Sequence, residues 1–251
     1  MSLFSPQLVF HLAKARRVAV LTGAGISAES GVATFRDAGG LWEKLKPEEL
    51  ANFEAFMSNP EMVQMWYAHR REVLNDVVPN PAHIALAGFE DLFDEFTVIT
   101  QNVDDLHRRA GSRSIVELHG NILRNYCVAC RQPAGDHELD RPAPDGAYRC
   151  AKCSGLIRPD VVWFGEMLPE GAIERADSAA RTAEVFLSVG TSAVVYPAAS
   201  IPITARITGA YVAEINVEKS AIGDDLDEVI LGPAGVVLPQ LLEAVVAKRA
   251  Q

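Results

Sequence analysis

Apolar and polar positions divide the chain into short β-rich runs separated by helical periods. The first run, Val18–Leu21, stops at the turn Gly23-Ala24-Gly25. Similar runs lie at Phe96–Thr100, Ile115–Leu118, Val185–Val189, Tyr211–Ile215 and Val236–Leu238. Helical patterns between them predict an α/β fold with an open, Rossmann-like and mostly parallel sheet. Leu8, Leu12 and Ala15 fall on one face of an amphipathic amino-terminal helix.

Two intervals are too long for a simple crossover. The first, from Phe35 to about Phe96, predicts helices over Pro47–Met57, Pro60–Val77 and Pro81–Phe93, each opened by a proline in the first turn. The second, 121–159, contains every cysteine around a polar, Pro/Gly-rich middle. Both read as insertions. The expected division is a sheet domain of residues 1–36, 79–122 and 160–251, with a smaller lobe made of a helical insertion, 37–78, and a cysteine module, 123–159. A ligand would lie in the cleft between them, at the carboxyl ends of the strands.

With 251 residues, the chain is long enough to bury a sizeable core. Its 23 Lys and Arg stand against 33 Asp and Glu, a net charge of −10, which argues against nucleic acid or an anionic membrane surface as a partner. No apolar run is long enough to span a bilayer, and Met1 to Arg17 places its apolar residues before its basic ones, opposite to a secretory signal. These features predict a cytoplasmic protein, and a monomer is expected.

The four cysteines form two pairs, Cys127-x2-Cys130 and Cys150-x2-Cys153, separated by 19 residues. Four thiolates at this spacing close a tetrahedron around one zinc ion and leave no open coordination position, so the metal would be structural. Two redox C-x-x-C motifs are the alternative, but neither follows a thioredoxin-like strand.

The chemistry-bearing residues gather at strand ends. Gly23, Gly25 and Ala28 match G-x-G-x-x-G/A, a dinucleotide-binding spacing that is also found in ordinary tight βα turns. Gln101, Asn102 and Asp104 follow the run Phe96–Thr100, where Asn102 and Asp104 suit either a site or the cap of a helix starting near Asp105. His119, after Ile115–Leu118 and before Gly120, is either a hydrogen-bonded structural histidine or a general base near neutral pH. Gly190, Thr191 and Ser192 end one later run, and Asn216 and Glu218 follow another.

Taken together, Gly-Ala-Gly-Ile-Ser at 23–27, Thr34-Phe35-Arg36, Gln101-Asn102-Val103-Asp104, Leu118-His119-Gly120, the paired C-x-x-C, Val161-Val162-Trp163-Phe164-Gly165-Glu166 and Gly190-Thr191-Ser192 closely resemble the sirtuins, NAD-dependent protein-lysine deacylases. The resemblance covers about Ala15 to Val245. Tyr67-Ala68-His69-Arg70 also resembles the Y-x-x-R pattern of the branch that holds bacterial deacylases and the mitochondrial desuccinylase.

The resemblance implies that the acyl oxygen of a modified lysine attacks the nicotinamide ribose of NAD, releasing nicotinamide, free lysine and O-acyl-ADP-ribose. It implies His119 as general base, assisted by Asn102 and Asp104. Gly23, Ala24, Gly25, Ala28, Phe35, Arg36, Trp42 and Gln101 would hold NAD, with Phe35 and Arg36 near the nicotinamide ribose, and Asn102 and Asp104 would hold its ribose and nicotinamide end. Gly190, Thr191, Ser192, Asn216, Glu218 and Ala234 would serve its phosphates and adenosine. Phe164, Gly165 and Glu166 would pair with the substrate backbone as an added strand. Tyr67 and Arg70, three apart on a helix, would grip the carboxylate of a succinyl or malonyl group; on residue type alone they read as a solvated helix face. Protein ADP-ribosylation and passive NAD sensing are the competing functions.

Overall fold

A computed structural model describes residues 3–32 and 50–251. Helix α1, Pro6–Lys14, precedes strand β1, Arg17–Thr22, and the short helix α2, Ala24–Ala28. Then come α3, Phe53–Ser58, α4, Pro60–Asp76, and α5, Pro81–Glu90, followed by β2, Glu95–Thr100, α6, Leu106–Arg109, and β3, Ile115–Glu117. Strands β4, Gly120–Cys127, β5, Pro133–Ala134, and β6, Ile157–Val161, lead to α7, Ala172–Thr182. The chain closes with β7, Val185–Val189, α8, Ile201–Ile207, β8, Tyr211–Asn216, β9, Glu228–Leu231, and α9, Ala234–Arg249.

Six strands form one sheet in the order β3-β2-β1-β7-β8-β9, and every pairing in it is parallel. Strand order reverses between β1 and β7, which opens the crevice where doubly wound sheets bind ligands. The alternation along β1 explains the layering. Val18 and Val20 pack towards α1, α5 and α9, with Leu12, Leu86 and Leu241, whereas Ala19 and Leu21 pack towards α7 and α8, with Ala176 and Ala205. Strands β1, β2, β7 and β8 are largely buried on both faces, which is why they read as continuous apolar runs.

One expected strand is a helix. Val236–Leu238 lies in the first turns of α9, with Val237 and Leu238 fully buried. A three-residue apolar run has no period of its own to distinguish strand from helix. The sixth strand is instead β9, whose sequence, Glu228-Val229-Ile230-Leu231, is too short and too exposed to stand out.

The helical insertion follows its punctuation. Asn59 and Asn80 accept hydrogen bonds from the first-turn amides of α4 and α5, and Pro60 and Pro81 occupy first-turn positions as expected. Asn52 caps α3 in the same way; Pro47 lies outside the described residues. Strands β5-β4-β6 form a small antiparallel sheet. Gln64 on α4 fastens the two insertions together: its amide donates to the Tyr148 and Ile157 carbonyls at 3.0 and 2.6 Å and accepts from the Tyr148 N–H at 2.7 Å.

Candidate active site and metal centre

At the switch point, the turns after β1 and β7 touch backbone to backbone. The Gly23 and Gly25 amides donate to the Val189 and Gly190 carbonyls at 3.1 and 2.8 Å. A Cβ on Gly25 would sit 2.8 Å from the Gly190 carbonyl oxygen, and one on Gly190, whose φ is +58°, would sit 2.4 Å from the Ile26 nitrogen. Only glycine permits this approach. The same contact uses two amides that a free glycine loop would have offered to a pyrophosphate.

The strand-end residues form one hydrogen-bonded web. Asn102 donates from its side-chain amide to the Gly23 carbonyl, 3.0 Å, and to Ser27 Oγ, 3.1 Å. Ser27 in turn donates to Asp104 Oδ2 at 2.7 Å, while Asp104 Oδ1 accepts from the Leu106 N–H at 3.0 Å. Asp104 therefore braces the start of α6 and, through Ser27, ties it to the glycine turn. Burial raises its pKa, opposed by those two hydrogen bonds. Gln101 Nε2 donates to Thr191 Oγ1 at 3.0 Å, and Asn216 Nδ2 donates to the Thr191 carbonyl at 3.0 Å.

His119 joins the web from the link between β3 and β4. Its Nδ1 lies 2.9 Å from the Gln101 carbonyl oxygen. A carbonyl only accepts, so Nδ1 carries the proton and Nε2 is left as a bare lone pair. Half-burial pushes the imidazole pKa below its ordinary value, which favours the neutral, basic form. Gly120, at φ +79°, lets the chain turn from β3 into β4; a Cβ there would lie 2.0 Å from the Asp160 carbonyl oxygen.

A second cluster lies on α4 and the chain packed against it. Tyr67 is buried against Phe56, Trp66 and Trp163, and the Trp163 indole N–H donates to its hydroxyl at 2.8 Å. Desolvation pushes the Tyr67 pKa up to about 12, so its phenol keeps its proton. The Arg70 guanidinium lies 4.8 Å from the centre of the Trp66 ring, and Asp104 is the carboxylate whose field reaches it. Burial lowers the Arg70 pKa from its ordinary value.

Phe164 is 54% exposed beside Gly165, while the Glu166 carboxylate is taken up by the Arg158 guanidinium at 2.5 and 2.8 Å. Glu218 is exposed, and Ala234 is buried at the start of α9. The Gly235 N–H donates to Glu29 at 2.9 Å, tying α9 to the end of α2. Phe35, Arg36 and Trp42 lie outside the described residues. Sequence reasoning missed Ser27, whose hydroxyl links Asn102 to Asp104; a small polar residue in a glycine turn gave little signal. It also missed the exposed apolar run Val194-Val195-Tyr196, which has neither helical nor strand period.

The four cysteine sulfurs lie within 4.8 Å of one another. Cys127 Sγ and Cys153 Sγ are 3.5 Å apart, and Cys130 Sγ and Cys150 Sγ 3.8 Å. A tetrahedral ion with metal–sulfur bonds near 2.3 Å requires sulfur separations of about 3.8 Å, whereas a disulfide requires about 2 Å. The sulfurs thus have the geometry of a structural zinc centre. Each pair sits in a tight turn, with the Arg131 and Ser154 amides donating to the Cys127 and Cys150 carbonyls.

The Sir2 family profile matches residues 23–197, which include the glycine turn, the web apart from Asn216, His119 and the cysteines. The chain belongs to the Sir2 family. A relative from Pyrobaculum aerophilum, named NAD-dependent protein deacylase 2, is 55% identical over 234 residues, 93% of each chain. A solved Sir2 homologue in complex with NAD superposes with a TM-score of 0.92 at 42% identity, covering 99% of this chain and 96% of its own. A second, a Sir2 protein with a p53 peptide and NAD+, has a TM-score of 0.84 at 31% identity, covering 95% and 97%. Both likenesses extend over nearly the whole chain.

Proposed function

We propose that this Sir2 protein is an NAD-dependent protein-lysine deacylase that removes acidic acyl groups, succinyl or malonyl, as well as acetyl groups. The observation that carries this reading is the bare Nε2 of His119, held in that tautomer by the Gln101 carbonyl at the edge of the strand-end web. NAD, when bound, supplies the electrophilic ribose carbon and the nicotinamide leaving group. His119 takes a hydroxyl proton at Nε2, and the hydrogen bond at Nδ1 steadies the imidazolium that results. Asn102 and Asp104 orient the ribose and nicotinamide end, and Gly190, Thr191, Ser192 and Asn216 serve the phosphate and adenosine side.

The acylated peptide lies against Phe164 and Gly165, where main-chain pairing makes recognition tolerant of sequence. Glu166 contributes its backbone there, since its carboxylate is bound to Arg158. Tyr67 and Arg70 hold the acyl carboxylate. The Tyr67 hydroxyl already accepts from Trp163, so its own proton is left to donate, and Arg70 has no carboxylate within ion-pair distance among the described residues. Charge-assisted hydrogen bonds of this kind contribute roughly 1.5–3 kcal/mol each. In this reading the chain divides into a sheet domain and a small lobe made of the helical insertion and the cysteine module. The protein acts in the cytoplasm as a monomer, without nucleic acid or membrane.

Mass spectrometry of one succinylated and one acetylated peptide, with NAD present or omitted, tests the reading. Both peptides should lose their acyl mass only when NAD is present. Persistence of the succinyl peptide alone would remove the carboxylate-grip role and leave the deacetylase.

A further inference from the structure

Beneath the web lies a second chain of contacts that the proposed reaction does not use. The Asn102 backbone N–H donates to Thr100 Oγ1 at 3.1 Å. Thr100 Oγ1 also receives the Thr22 hydroxyl at 2.9 Å, and Thr22 Oγ1 lies 2.8 Å from His107 Nε2. Thr22, Thr100 and His107 are all buried, between the ends of β1 and β2 and the first turn of α6. With the Thr22 proton directed to Thr100, His107 Nε2 must carry a hydrogen and donate it. His107 Nδ1 is then bare and has no partner among the described residues; the His83 ring lies beside it, with centroids 4.9 Å apart.

Asn102 is thus held at two points. Its side chain is tied to the glycine turn, and its backbone rests on a relay that ends at His107. We infer that His107 is a positioning residue, which fixes Asn102 against the glycine turn through Thr22 and Thr100 and so sets the affinity for NAD. The inference rests on the reading that Asn102 contacts NAD. Burial and the neighbouring His83 push the His107 pKa down to about 3, so the imidazole stays neutral and the relay keeps one direction across the working pH range. Helix α6 is itself held in register, since Asp104 accepts from its first amide and Arg109 donates to the Leu74 and Val77 carbonyls.

The test is calorimetric titration of zinc-loaded protein with NAD, which needs no turnover, beside titration with an acyl-lysine peptide. His107→Phe should weaken NAD about tenfold, the scale of one lost hydrogen bond in a buried chain, and leave peptide affinity within about twofold. His107→Gln places an amide N–H near the former Nε2 and should recover NAD affinity to within about threefold. Unchanged NAD affinity in His107→Phe, or equal loss of NAD and peptide affinity, would overturn the assignment. Should His107→Phe fail to fold, Thr22→Val decides: the same selective loss supports the relay, and wild-type NAD affinity refutes it. Wild-type protein that binds NAD but never deacylates would remove the proposed function and leave the positioning role standing.

Discussion

At the scale of single residues, the account places the chemistry on His119 and the acyl selection on Arg70. Replacing His119 with Ala should cut deacylation by about 10²–10⁴-fold while bound zinc, measured by metal analysis, stays at the wild-type level. The base must be neutral, and burial lowers its pKa below the ordinary 6.5. The rate should therefore rise with pH through a point below 6.5 and stay flat above it, as a pH–rate profile would record. Arg70→Met should reduce desuccinylation by roughly ten- to a hundredfold and deacetylation by no more than about threefold, measured on paired peptides. Equal losses would return Arg70 to a structural role on the Trp66 face. Both residues were singled out in the chain because each stands in a short motif that carries the sirtuin resemblance. Ser27 and His107 were not, since their roles depend on partners 75 or more residues away.

At the scale of elements, helix and strand types followed from periodicity wherever the run was long enough to show one. Strands β1, β2, β7 and β8 are buried on both faces and read clearly, whereas β9 and the start of α9 were exchanged because each offers only a few apolar positions. Asn-Pro pairs marked the starts of α4 and α5 for a definite reason: asparagine caps and proline presets the first turn. The zinc module has only Cys127, Cys150 and Ile157 as its buried apolar cluster. Chelating the metal should therefore unfold residues 123–159 while the six-stranded sheet persists. Hydrogen exchange by segment would check this; full protection of 123–159 without metal would contradict it.

At the scale of the whole molecule, the parallel sheet brings the carboxyl ends of its strands to one edge, where their polar residues meet. Sequence placed the polar residues at those ends but could not show how the web connects them, because its bonds cross from one strand to the next. Stability carries its own signature. His83 and His107 are buried with pKa values pushed down to about 4 and about 3, so the folded chain holds both neutral. The unfolded chain binds these protons first, and stability should be highest above pH 6.5 and fall steadily from there towards pH 4. Urea midpoints at pH 7.5 and 5.5 should differ less in His83→Leu than in wild type. The central claim concerns the reaction itself, and parallel counts of nicotinamide and freed lysine from purified, zinc-loaded protein with NAD test it most directly. The account predicts equimolar release of the two and no nicotinamide without acylated peptide; nicotinamide released equally fast in the peptide's absence, or acylated peptide left intact, would contradict it.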